Sequence, residues 1–186
     1  MLYLIEGARN SGKTYVTSQF SIAPVYKFPF TELFTDLEYD DKSVRTHDFA
    51  LGKEIMLLDL NRKGFIENMI CDRSIYTVLA WGVLSGRITE KEAEKQLDLI
   101  IHKGLLDNTT LIWVKGQNPF TGRSKDFWDF RDNEKEKEEL LYSSLFKRTK
   151  QLKPDIKLEI IDNTFDDTVK EKIKYLQDVW NTTKPE

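Results

Sequence analysis

Leu2-Tyr3-Leu4-Ile5-Glu6 runs straight into Gly7-Ala8-Arg9-Asn10-Ser11-Gly12-Lys13-Thr14, and this stretch decides how the rest of the chain is read. The octapeptide matches Gly-x-x-x-x-Gly-Lys-[Ser/Thr] in full, the phosphate loop or Walker A pattern. Its glycines let the backbone curl so that successive N–H groups point inward at phosphate oxygens. A helix expected from Ser11 to Phe20 adds the positive end of its dipole. Gly7, Asn10, Ser11, Gly12, Lys13 and Thr14 are therefore assigned to the phosphates of ATP. Lys13 neutralises the β- and γ-phosphates, and the Thr14 hydroxyl ligates Mg²⁺. The alternative is a chance glycine-rich turn, but a random chain of this size carries the full pattern less than about one time in a hundred. Here it also stands in the strand–loop–helix setting that the motif requires.

Outward from the loop, short apolar runs alternate with longer amphipathic stretches. Strands are expected at Leu2–Glu6, at Val25–Lys27 between Pro24 and Pro29, at Glu67–Cys71, at Leu111–Val114 and at Leu158–Ile161. Helices are expected at Thr46–Arg62, with Phe49, Ile55 and Leu58 on its apolar side, and at Ile75–Leu84, with Ser74 as cap. The helix after Thr89 opens on a reciprocal Thr-x-x-Glu cap with Glu92 and ends at Gly104, and Ala93, Leu97, Ile100 and Ile101 share a face. Asn133–Lys150 reads as a charged helix with a solvated first stretch. Asp167–Trp180 closes the chain with Val169, Ile173, Leu176 and Trp180 on one side. No chemistry is assigned to the acidic stretch Asp36–Asp41. This order predicts an α/β fold, a three-layer sandwich of about five parallel strands with helices on both faces. The 186 residues are expected to form a single domain.

In such sheets ligands sit at the carboxyl ends of strands, which is where Asp72-Arg73-Ser74 falls. Asp72 is positioned to ligate Mg²⁺ or to take a proton from an attacking hydroxyl. Arg73 is suited to grip a phosphate through two parallel hydrogen bonds. The opposing reading is an Asp capping a helix beside a surface Arg. Asp-x-x-Gly after the strand and Asn-Lys-x-Asp are both missing from the sequence, which disfavours a GTPase. Residues 116–132 hold Arg123, Lys125 and Arg131 among Phe127, Trp128 and Phe130. They are expected to form a lid that closes over the transferring phosphate and excludes water, the alternative being a solvated loop with its aromatics on the core.

Composition is that of a globular protein, 40% hydrophobic and 32% charged with a net charge of −3. No overall basic field draws the chain toward nucleic acid. One cysteine, Cys71, excludes an internal disulfide and is expected to be a buried apolar side chain rather than a nucleophile. The apolar run at the start is cut by Glu6 and that at Tyr76–Leu84 is half a membrane span, so a cytoplasmic protein is expected. His47 and His102 lack metal-ligand spacing and are expected at the surface or in capping roles. Tyr26, Phe28 and Trp81 are assigned to packing, with sandwiching of an acceptor base as the alternative.

The residues resemble the thymidylate kinase and deoxynucleoside kinase branch of the P-loop nucleoside and nucleotide kinases. Ile5-Glu6-Gly7 leading to Gly12-Lys13-Thr14, then Asp72-Arg73-Ser74, carry the likeness, with Phe130-Arg131-Asp132 a looser match. The resemblance implies ATP with Mg²⁺ and a phosphoryl acceptor near Arg73. Two positions depart from the pattern. Arg9 stands where thymidylate kinases carry a carboxylate toward the acceptor, which argues against thymidine monophosphate itself and makes Arg9 a candidate internal arginine finger. Asp72 stands where deoxynucleoside kinases carry Glu. The leading expectation is a kinase acting on a nucleoside monophosphate or deoxynucleoside, with a homodimer left open. A P-loop kinase acting on a hydroxyl of a modified base or sugar in DNA is the second reading. A nucleotide-binding regulator or assembly ATPase is the third.

Overall fold

The computed structural model describes residues 1–8, 11–21, 23–28, 44–116, 132–164 and 166–182. Its strands are β1 (Leu2–Glu6), β2 (Val25–Lys27), β3 (Met69–Asp72), β4 (Thr109–Lys115) and β5 (Lys157–Asp162). All pair in parallel, in the order β2-β3-β1-β4-β5. The helices of the described residues are α1 (Lys13–Ser18), α2 (Val44–Arg62), α3 (Ile75–Leu84), α4 (Glu90–His102), α5 (Asp132–Leu152) and α6 (Asp167–Thr182).

Side chains alternate across a strand, so β1 serves two cores. Leu2 and Leu4 face a layer built from α2, α3, α4 and α5, where Leu58, Tyr76, Leu97 and Phe146 are buried. Tyr3 and Ile5 face the other way, onto Val16 of α1 and Val169, Ile173 and Leu176 of α6. Helices thus cover both faces, and the sheet is the middle layer. The two layers bracket β1, whose carboxyl end opens on the phosphate loop.

Local signals were borne out where they are strongest. Thr89 accepts from the Glu92 backbone N–H while the Glu92 carboxylate takes the Thr89 N–H, the full reciprocal cap. Ala93, Leu97, Ile100 and Ile101 are buried together. Cys71 is buried. Other expectations need correction. α1 is shorter than Ser11–Phe20, because Gly12 takes a left-handed φ of 81° and stands outside the helix as its N-cap. The Ser74 hydroxyl makes no capping bond on α3. Phe49 points to solvent, while Ala50, Leu51 and Leu58 supply the inner face of α2. His47 is fully buried and shares a hydrogen bond with Gln96 at 2.9 Å, where a surface role was expected. Within the charged opening of α5, Glu138 is fully buried rather than solvated.

Candidate active site

The carboxyl ends of β1 and β3 lie side by side, with Ile5 in register with Asp72. Alternation then sorts the charged residues. Asp72 shares the parity of Ile70 and turns toward α1, whereas Glu6 shares the parity of Leu4 and turns toward α2, α3 and α5. The phosphate loop leaves β1 at Gly7, whose φ of 153° is paired with close approach to β4: a Cβ there would lie 2.2 Å from the Val114 carbonyl oxygen. No other residue fits.

The two sequence motifs meet. The Thr14 hydroxyl donates to Asp72 Oδ2 at 3.2 Å. Asp72 is 6% exposed, and among the described residues its Oδ1 has no hydrogen-bond partner. Lys13 is buried, with Nζ donating to the carbonyls of Gly7 (2.8 Å) and Ala8 (2.7 Å). Burial, then the neighbouring Arg73 charge, pull its ammonium down to about 7 against the opposing pull of Glu138, Asp72 and Glu6. Arg73 adopts a φ of 76°, uncommon for a residue with a side chain, and its N–H donates to the Ile5 carbonyl at 3.0 Å. A non-glycine residue held there costs on the order of 1–3 kcal/mol, a strain characteristic of functional positions.

Several supporting residues carry no motif and were missed from the sequence. Asn163, just past β5, donates through Nδ2 to the Ser11 carbonyl at 2.9 Å and pins the loop from beneath. Glu6 is fully buried and accepts from the Thr77 hydroxyl at 2.6 Å, and Tyr142 meets the same hydroxyl at 2.8 Å. Burial pushes the Glu6 carboxyl up, while Thr77, Ser74, Lys13 and Arg73 hold it back. An acid closing the apolar run of β1 was the available signal for Glu6. Glu138 and Asn163 had none, since a charged helix and a strand exit are ordinary places for them. Arg9 and Asn10 lie outside the described residues. So do the lid residues Arg123, Lys125 and Arg131.

The donor set suits Mg²⁺. That ion keeps most of its waters and takes one or two protein oxygens together with substrate phosphates. Thr14 Oγ1 and the buried Asp72 carboxylate offer such a pair. Among the described residues no group of three or more His, Cys, Asp or Glu is assembled for a metal. Nor is any described helix long and apolar enough to cross a membrane.

No protein-family model matches the sequence, and no curated protein matches it. Solved structures do match in three dimensions. A deoxyadenosine kinase from M. mycoides with dCMP and a flexible dCDP bound superposes with a TM-score of 0.63 at 17% identity, over 99% of this chain and 100% of that one. The same kinase with dCTP gives 0.56 at 17% identity, over 98% and 100%, and with dATP 0.52 at 19%, over 97% and 99%. At these identities the likeness establishes the fold alone, the α/β sandwich of parallel strands between helices anticipated from the sequence.

Proposed function

We propose that the chain is an ATP- and Mg²⁺-dependent phosphotransferase whose acceptor is a nucleoside monophosphate or a deoxynucleoside. One observation carries the reading: the Thr14–Asp72 hydrogen bond at 3.2 Å, which joins the phosphate loop to the strand-end acid beside Arg73. A phosphate loop alone serves many chemistries, and the acid–arginine pair at its mouth is what suits transfer to an acceptor. The fold shared with a kinase that holds deoxynucleotides agrees with it.

In this reading Lys13 leaves the carbonyls of Gly7 and Ala8 for the β- and γ-phosphates. Its charged form, disfavoured by burial, then gains counter-charge from the phosphates beyond that of Glu138, Asp72 and Glu6. Thr14 and Asp72 would hold Mg²⁺, which would supply neutralisation of charge spread over the transferring group. Arg73 orients the acceptor, and its strained backbone fixes the direction from which the guanidinium approaches. Little covalent work falls to the protein, so positioning and electrostatics set the rate.

The test is incubation with γ-labelled ATP and Mg²⁺ against two pools, one of nucleosides and nucleoside monophosphates, one of DNA oligomers with normal and hydroxymethylated bases. Label is expected in a small nucleotide and absent with Lys13→Ala. Label in the polymer alone would move the acceptor to DNA. Label only in inorganic phosphate would leave a nucleotide-hydrolysing regulator as the better account.

A further inference from the structure

Glu54 is a buried ionisable group that the reaction outlined above does not use. Helical spacing places it with Ala50 and Leu58 on the inner face of α2, and it is 1% exposed. Its carboxyl takes one hydrogen bond, from the Tyr26 hydroxyl to Oε1 at 3.2 Å. Among the described residues Oε2 has no hydrogen-bond partner. A half-satisfied carboxyl in an apolar layer is costly, and an aliphatic side chain would pack there without that cost. The position therefore holds a polar group against the interest of stability.

What surrounds Glu54 gives its direction. Glu6 of β1, Tyr26 of β2 and Cys71 of β3 lie within electrostatic reach, as does the Lys53 ammonium on the same helix. Glu6 is in turn within reach of Arg73 and Lys13. A line Lys13–Arg73–Glu6–Glu54 thus crosses the carboxyl end of the sheet, from the phosphate loop toward the β2 edge. Glu54 and Arg73 share Glu6 as a common neighbour at that end of the sheet.

We infer that Glu54 is the specificity-determining residue for the acceptor, its unpartnered Oε2 pairing with the donor–acceptor edge of a nucleobase, an inference that rests on the nucleoside or nucleotide reading above. Burial, reinforced by Glu6, holds its carboxyl up at about 8, so the acid is protonated at neutral pH. With Oε1 accepting from Tyr26, the proton sits on Oε2. The carboxyl then offers a donor and an acceptor side by side, the complement of an N–H/C=O or N/NH₂ edge. Burial pushes the Cys71 thiol and the Tyr26 hydroxyl up, so neither adds a charge beside Glu54.

The experiment compares wild type, Glu54→Gln and Glu54→Leu in kcat and KM for the four deoxynucleosides and their monophosphates, with ATP KM and the melting midpoint alongside. Glu54→Leu is expected to melt higher, yet to raise KM for the preferred acceptor about tenfold or more and flatten preference among bases. Its ATP KM stays unchanged. Glu54→Gln, which also presents a donor beside an acceptor, keeps acceptor KM within about threefold. A Leu variant that keeps both KM and base preference overturns the inference while wild-type turnover leaves the kinase reading standing. So does a variant that loses ATP and acceptor affinity alike. Wild type that labels no nucleoside or monophosphate removes the kinase reading, and the role of Glu54 falls with it.

Discussion

Lys13 and Glu54 are held by burial against their ordinary charge states, and their signs oppose. Lys13, lowered from 10.5 to about 7, binds fewer protons folded than unfolded between those values, so its contribution to stability improves as pH rises through that window. Glu54, raised from 4.5 to about 8, binds more protons folded than unfolded across its own window. Its contribution is fully present below 4.5 and is lost as pH rises toward 8. Between pH 5 and 8, Glu54→Gln should therefore lose part of the wild-type decline in stability, roughly 2–4 kcal/mol of it. Glu6, raised in the same direction, keeps the remainder. Denaturant unfolding at the two pH values measures this, and parallel curves for both proteins would show that Glu54 is charged in the fold.

Among the elements, α5 ties the site together. Its first half brings Glu138 to Lys13, and one turn later Tyr142 reaches the Thr77 hydroxyl that serves Glu6. Phe146 continues the same row, its ring 4.7 Å from Tyr76 and 5.1 Å from Trp113. Tyr142→Phe keeps the shape and removes one buried hydrogen bond, so it should cost about 1–2 kcal/mol of stability. The Thr77–Glu6 bond survives this change, and thermal unfolding should still show a single transition. Loss of folding altogether would mean the hydroxyl pair organises α5 rather than fastens it. The reciprocal cap at Thr89 was legible because all of its atoms lie within four residues. Glu138 was not, because its partner Lys13 lies far away in the chain and the residues beside it are solvated. His47 was not legible for the same reason: its ring lies over Gly82 of α3 and bonds Gln96 of α4, both remote in sequence.

For the whole molecule, the alternation of five parallel strands with helices was readable since it rests on local patterns of apolar runs and turn residues, whereas the order β2-β3-β1-β4-β5 is set by contacts between distant segments. The sorting of Glu6 and Asp72 to opposite faces was implicit in strand alternation, yet it became visible only once β1 and β3 were seen in register. If the assigned loop binds nucleotide, Mg²⁺ and ATP together should raise the unfolding midpoint. The gain is about 2.7 kcal/mol at a hundredfold excess over Kd. Chelation of the metal should remove most of it, and Lys13→Ala nearly all; a shift that survives in Lys13→Ala would place the nucleotide elsewhere. The divided sheet has a bearing on descent as well. With α1 and α6 packed on one face of the sheet and α2 on the other, a change of acceptor in the proposed reaction would be confined to α2 and the β2 edge. On that proposal the phosphate loop would be inherited intact while acceptor choice stayed open to selection, and a library restricted to α2 and the β2 edge is where retargeting should be sought.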